Sequence, residues 1–247
     1  MADLISPLRS VAEQYADQPA FVSSERILSW REVGEAVSKV AAYLRSEQCK
    51  PGDRVALTGQ NSLWHLLTIL GIIESGSVAC PISNRLPAEE QRKLIARLGA
   101  RLVDSSTNDW PAIEAMSPSP LRSHWPKDSP ATIVATSGST GQPKLAVLSV
   151  GNHYYNALGS HTNIPFHSGD RWLLSLPLYH VGGLALLFRS LLHGGAIVLA
   201  RPDQPMIDAI GEHHVTHLSL VSTQLRKLLE SQSELIRIAP RLSAVLL

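Results

Sequence analysis

The sequence is short of several things, and each shortage removes a class of function. It contains two cysteines, Cys49 and Cys80, with no CxxC pair. A disulfide framework is therefore not expected, and a reducing compartment such as the cytoplasm is the natural setting. It lacks a surplus of charge: 22 basic residues face 21 acidic ones, a formal net charge of +1. A nucleic-acid or anionic-membrane partner would call for a basic imbalance or patch, so neither is expected. No segment approaches the roughly 20 apolar residues that span a bilayer. The start, Met1-Ala-Asp-Leu-Ile-Ser-Pro7, has no basic lead before an apolar stretch and does not resemble a signal peptide. What remains is a globular composition, 44% hydrophobic and 17% charged, in a chain long enough for one large core or two modest ones.

Strand-like and helix-like patterns alternate along the chain. Ser29 and Glu32 form a capping-box signature, after which Val33, Val37, Val40 and Leu44 recur at helical spacing until Lys50-Pro51-Gly52. Arg54–Thr58 reads as a buried strand, Asn61 as the cap of a helix running to about Ser75, and Val78–Ile82 as the next strand. Pro87–Leu98 is a helix closed by Gly99, and Leu102-Val103 begins a short strand. Residues 104–130, rich in Ser, Pro and Asp, read as a long connection between two α/β portions. Beyond it, strands are expected at 132–135, 145–148, 172–176, 196–199, 216–221 and 243–247, with helices near 152–160, 182–192, 205–212 and 223–231. Short continuous apolar strands between amphipathic helices give the fold class α/β, with mostly parallel sheets flanked by helices. The final run Ala244–Leu247 looks like a core strand with nothing after it, so an incomplete N-terminal portion of a larger enzyme is expected.

One segment concentrates chemistry. Thr136-Ser137-Gly138-Ser139-Thr140-Gly141-Gln142-Pro143-Lys144 offers two glycines that let backbone N–H groups approach an anion, four rotatable hydroxyls and a compact positive charge. A Ser/Gly-rich surface turn is the plain alternative, but the full string between two apolar strands is far more specific. A Walker-type loop is excluded, because that loop needs Gly-Lys followed by Ser or Thr at a helix start, and here Pro143 precedes the lysine and Leu145 follows it.

The string resembles the phosphate loop of the adenylate-forming, AMP-binding superfamily. Leu176-Pro-Leu-Tyr-His180 resembles that family's second core motif, and Ser219-Leu-Val-Ser-Thr223 the strand end that borders its acyl pocket. Ala135, Leu145 and Ser149-Val150 depart from the luciferase and long-chain-ligase patterns. The run through Phe188-Arg189 and Gly194-Gly-Ala is most like the o-succinylbenzoate–CoA ligases of menaquinone biosynthesis. The resemblance implies that a carboxylic acid and Mg-ATP form an acyl-adenylate, and that coenzyme A then takes the acyl group as a thioester.

By the same resemblance, Thr136, Ser137, Gly138, Ser139, Thr140, Gly141 and Lys144 hold the ATP phosphates, with Lys144 and His180 acting in catalysis. His180, Ser222, Thr223 and Gln224 border the acyl substrate. Arg189 is a further candidate for the acyl substrate, because it stands out as a charge within an apolar helix, where it needs a partner. A substrate carboxylate would supply one; a salt bridge, or snorkelling of its head to water, is the plain alternative. Ser222 or Thr223 could equally cap a helix. His213, His214 and His217 are not read as a metal site, because the four-residue spacing suits a helix and the local run looks like a strand. The family's adenine segment, its Tyr-Gly-x-Thr-Glu motif and its C-terminal lid domain are absent from these residues, so the chain alone is expected to be inactive. Another aryl- or acyl-CoA ligase, or a non-catalytic nucleotide-binding module, is the alternative, and self-association into a homo-oligomer stays open.

Overall fold

Local signals start most of the elements. The computed structural model describes residues 3–104, 110–136, 143–230 and 232–247. After β1 (Leu4–Ile5) comes α1 (Pro7–Gln14), where Ser6 accepts the Arg9 N–H and Pro7 occupies the first turn. A hairpin of β2 (Pro19–Val22) and β3 (Ile27–Ser29) leads into α2 (Trp30–Ser46). The expected capping box is complete: Ser29 Oγ accepts the Glu32 N–H, and the Glu32 carboxylate accepts the Ser29 N–H at 2.7 Å. Then follow β4 (Arg54–Thr58), α3 (Leu63–Ser75), β5 (Val78–Ile82), α4 (Ala88–Leu98) and β6 (Arg101–Asp104). The cap of α3 is Ser62, whose Oγ accepts the His65 N–H at 3.1 Å, and not Asn61 as expected. Asn61 is occupied elsewhere, with the backbone at residues 176–178.

The stretch expected to be an irregular connection carries α5 (Trp110–Glu114) and β7 (His124–Trp125), which pairs antiparallel with β1. Beyond it run β8 (Pro130–Thr136), β9 (Lys144–Ser149), α6 (Val150–Asn163), β10 (Arg171–Leu173), α7 (Val181–His193) and β11 (Ala196–Val198). The chain continues through α8 (Met206–Glu212), β12 (His217–Ser219), α9 (Ser222–Glu230), α10 (Gln232–Ile238) and β13 (Ala244–Leu246). Strand β10 is shorter than expected. The Leu174 N–H still reaches Val198 O, but the backbone at Leu176 and Leu178 bonds to Asn61 instead of a strand.

The strands assemble into two larger mixed sheets. The five-stranded sheet has the order β6-β4-β5-β8-β9, parallel except that β9 returns antiparallel to β8. The six-stranded sheet has the order β13-β12-β10-β11-β2-β3, parallel except for β3. Each sheet recruits from across the 104–130 crossing: β8 and β9 join the earlier strands, while β2 and β3 join the later ones.

Helices α3 and α7 are buried on nearly every side, and an all-round apolar helix needs cover on all of them. One continuous core reaches from Phe21, Trp172 and Ile197 of the six-stranded sheet to Val55, Leu57 and Val134 of the five-stranded one. A Cβ on Gly71 would lie 2.3 Å from Val40 Cγ1, so glycine is what lets α3 approach α2. Some polar groups inside are paired individually, while others, such as Thr68 Oγ1 and His65 Nδ1, have no hydrogen-bond partner. Glu74 accepts from the Arg122 N–H and from Trp125 Nε1, while burial raises its carboxyl pKa. His153 pairs with Thr132 Oγ1 at 2.8 Å and stacks on Phe188 at 4.3 Å. Among the described residues no helix is long and apolar enough to cross a membrane. Strand β13 forms an outer edge, with Val245 half exposed.

Burial pushes the His65 and His153 imidazoles down to about 4, from an ordinary 6.5. The unfolded chain therefore binds more protons between those values, and stability is lost as pH falls from about 6.5 toward 4. Glu74 acts in the opposite sense. Urea unfolding at stepped pH should show this loss, on the order of 2 kcal/mol per histidine. His153→Gln, which can still hydrogen-bond Thr132, should remove part of it, and an unchanged slope in that variant would contradict the assignment.

Candidate active site

The parallel strands of the two sheets deliver their carboxyl ends to one region, the usual place for a site in an α/β fold. The ends of β4 and β5 and the segments after β10 and β11 line a cavity of about 420 Å³ that includes Asn61, Arg85, Ser175 and Tyr179. The β8–β9 turn emerges at the same end of the five-stranded sheet, because β8 runs parallel to β5 and β9 returns from it.

Thr136 and Lys144 form the last ladder pair before that turn, with Thr136 Oγ1 3.4 Å from Lys144 O. Both side chains are exposed. Ser137, Gly138, Ser139, Thr140 and Gly141 lie outside the described residues. The base of the loop is tied to the helix layer: Arg97 Nη1 of α4 donates to Pro143 O at 2.7 Å.

His180 stands at the N-cap of α7 with extended backbone dihedrals and an exposed side chain that caps nothing. Its N–H bonds back to Pro177 O at 3.0 Å, and its ring lies 4.6 Å from that of Tyr179. The first turn of α7 presses against the same segment, since a Cβ on Gly183 would meet Pro177 O at 2.3 Å. Gln224, in the first turn of α9, uses both ends of its amide. Nε2 donates to Ser175 O at 3.1 Å, and Oε1 accepts the Val221 N–H at 2.9 Å, the reciprocal half of a capping box. Ser222 and Thr223 are exposed at the start of that helix.

Arg189 is 9% exposed and has no ion pair among the described residues. Its guanidinium lies 5.0 Å from the Trp172 ring centroid, its Nε has no hydrogen-bond partner, and burial lowers its pKa. It lines a cavity of about 550 Å³ with Asn156, Ser160, Asn163 and Leu246. It lies nine positions along the chain from His180, about 14 Å along the axis, and the cavity it lines does not include His180. Thus Thr136 is brought to Lys144, and Gln224 to the segment leading into His180, while Arg189 stands apart.

His213 ends α8, His214 is exposed with φ 52°, and His217 bonds Thr216 Oγ1 and Pro165 O while stacking on Trp172. Among the described residues no three His, Cys, Asp or Glu converge as metal ligands.

The model of the AMP-binding enzyme family matches residues 8–246. The chain belongs to that family. It is 32% identical to the 2-succinylbenzoate–CoA ligase of Salmonella typhimurium over 98% of this chain and 52% of that protein. It is 33% identical to the Escherichia coli enzyme of the same name over 83% of this chain and 46% of that one. Among solved structures, the o-succinylbenzoate CoA synthetase of Bacillus subtilis in complex with the acyl-adenylate intermediate OSB-AMP superposes with a TM-score of 0.85. The match has 26% identity and covers 93% of this chain and 51% of that one. The same enzyme with ATP and magnesium ion gives 0.84 at 25% identity over 93% and 52% of the two chains. The chain thus spans about half the length of the curated relatives it matches.

Gly183 provides a direct check on how tightly the segment before His180 is held. Gly183→Ala should cost roughly 1–3 kcal/mol in urea unfolding, because the methyl group meets backbone rather than a movable side chain. A loss below about 0.5 kcal/mol would show that the segment yields freely.

Proposed function

We propose that this sequence carries the phosphate-holding and part of the acyl-binding machinery of an AMP-forming acid–CoA ligase whose acid is o-succinylbenzoate, acting in the cytoplasm. The observation that supports it most is agreement between the likeness in sequence and the likeness in structure: curated relatives and solved neighbours of this chain bear the name of the same acid.

In the first half-reaction a carboxylate oxygen of the acid attacks the α-phosphorus of Mg-ATP. The bond from that phosphorus to the bridging oxygen breaks, and pyrophosphate leaves. In the second, the thiol of coenzyme A gives up its proton, its sulfur bonds to the acyl carbon, and the bond from that carbon to the phosphate oxygen breaks as AMP leaves. Little covalent work falls to the protein in the first step, so positioning and charge stabilisation carry it. Lys144, beside Thr136 at the mouth of the β8–β9 turn, supplies positive charge to the departing pyrophosphate. The loop residues from Thr136 to Gly141 supply backbone and hydroxyl donors. His180, exposed at the head of α7, stands beside the reacting carboxylate, with Ser222, Thr223 and Gln224 at the border of the acyl site.

Arg189 is suited to the second carboxylate of a diacid. Its guanidinium is buried on an aromatic ring, lacks a counter-charge among the described residues and faces a cavity with amide and hydroxyl side chains. An incoming carboxylate would offset the cost of burying that charge.

The test is acid-dependent exchange of pyrophosphate into ATP by the native polypeptide that contains this sequence. o-Succinylbenzoate should support exchange well above benzoate or succinate, and equal rates with a simple aryl acid would refute the substrate assignment. Lys144→Ala should lower exchange about 100-fold or more. Arg189→Ala should raise KM for the diacid about tenfold or more while leaving KM for ATP in place; an unchanged diacid KM would remove Arg189 from the acyl site.

A further inference from the structure

Residues 174–180 cross from β10 to α7 without regular secondary structure, so their backbone groups need partners outside a ladder or helix. Two carboxamides supply them from different layers. Asn61, at the carboxyl end of β4 in the five-stranded sheet, donates from Nδ2 to Leu176 O at 2.9 Å and accepts the Leu178 N–H at Oδ1, 3.0 Å away. Gln224 donates to Ser175 O from the α9 side, and the Ser175 hydroxyl in turn donates to Ser219 O. Only a side chain that presents a donor and an acceptor together can serve one carbonyl and one N–H of the same short stretch. Aspartate offers two acceptors, and alanine offers nothing. The segment is then closed from its far side by the approach of Gly183 to Pro177 O and by the bond from the His180 N–H to the same oxygen.

We propose that Asn61 is a positioning residue: its carboxamide reaches from one sheet to the segment that leaves the other, and so fixes where the His180 imidazole stands at the head of α7. The consequence for catalysis rests on the reading of His180 as part of the acyl site. Both ends of the Asn61 carboxamide are engaged with backbone. Its effect passes through the backbone from Leu176 to Leu178, two residues before His180. Loss of the clasp should therefore appear in the orientation of His180 and in turnover rather than in nucleotide binding.

Isotope-labelled NMR of the 247-residue chain, paired with exchange kinetics of the native polypeptide, tests this. In Asn61→Ala the Leu178 amide should exchange with solvent about tenfold faster or more, and the His180 imidazole signals should shift. In Asn61→Asp, of the same shape, the Leu178 amide keeps its acceptor and its protection, yet the His180 signals should still shift because Leu176 O loses its donor. kcat for acid-dependent pyrophosphate exchange should fall about tenfold in both, with KM for ATP unchanged. Ser62→Ala, which removes the neighbouring helix cap, should lower stability without moving the His180 signals. Unmoved His180 signals in both Asn61 variants would overturn the proposal, as would unchanged kcat in both while His180→Ala is inactive. Shifted signals with a fully active His180→Ala would uphold the clasp and remove His180 from the acyl site instead.

Discussion

Two helices with almost no polar surface, α3 and α7, have to be covered on all sides, and most of the architecture follows from that requirement. A single sheet covers one flank of a helix. Covering the rest takes a second sheet or further helices, and here the core runs without interruption from one sheet to the other. Once helices lie between two sheets, polar groups inside must be settled one by one. Glu74 is met by a backbone amide and an indole, and His153 by a hydroxyl and an aromatic face. Glycine is required where two surfaces come too close for a methyl group, at Gly71 against Val40 and at Gly183 against Pro177.

The same arrangement makes a place for chemistry. Parallel strands deposit their carboxyl ends at one margin of each sheet, and short irregular segments there carry the side chains that a ligand can reach. Arg97 donates to Pro143 O just before β9, and the segment before α7 is bonded by Asn61 and Gln224. Backbone groups that leave a ladder near a site are thus paired by side chains drawn from other layers.

Much of this was legible in the residue order, for identifiable reasons. Helices of three turns or more, such as α2 and α3, repeat their apolar positions often enough to be read, and the reciprocal Ser29–Glu32 cap marks a start by its own chemistry. The phosphate-loop string was legible as a motif because glycines, hydroxyls and a lysine concentrate within nine residues. Elements of one or two turns, such as α1 and α10, and strands of two to four residues, such as β1 to β3, offer too few repeats for periodicity to register. Asn61 was misread because a carboxamide before an apolar run has the same local signature whether it caps a helix or reaches to residue 178. That choice is decided by tertiary structure, which local patterns do not encode. Arg189 stood out as a charge in an apolar helix, but its indole partner, Trp172, could not be inferred from spacing.

The placement of β2 between β11 and β3 has a consequence for how the protein is made. Phe21 and Val22 acquire their parallel partners only when Ile197 and Val198 have been synthesised. At roughly 5–20 residues per second, the nascent hairpin waits about 10–35 s with an apolar strand edge unpaired. Once Ser149 has been synthesised, within that interval, the five-stranded sheet can be completed, while the six-stranded one cannot. Synthesis therefore imposes an order of assembly on two sheets that share one core, and the N-terminal hairpin is the part that waits longest for its neighbour.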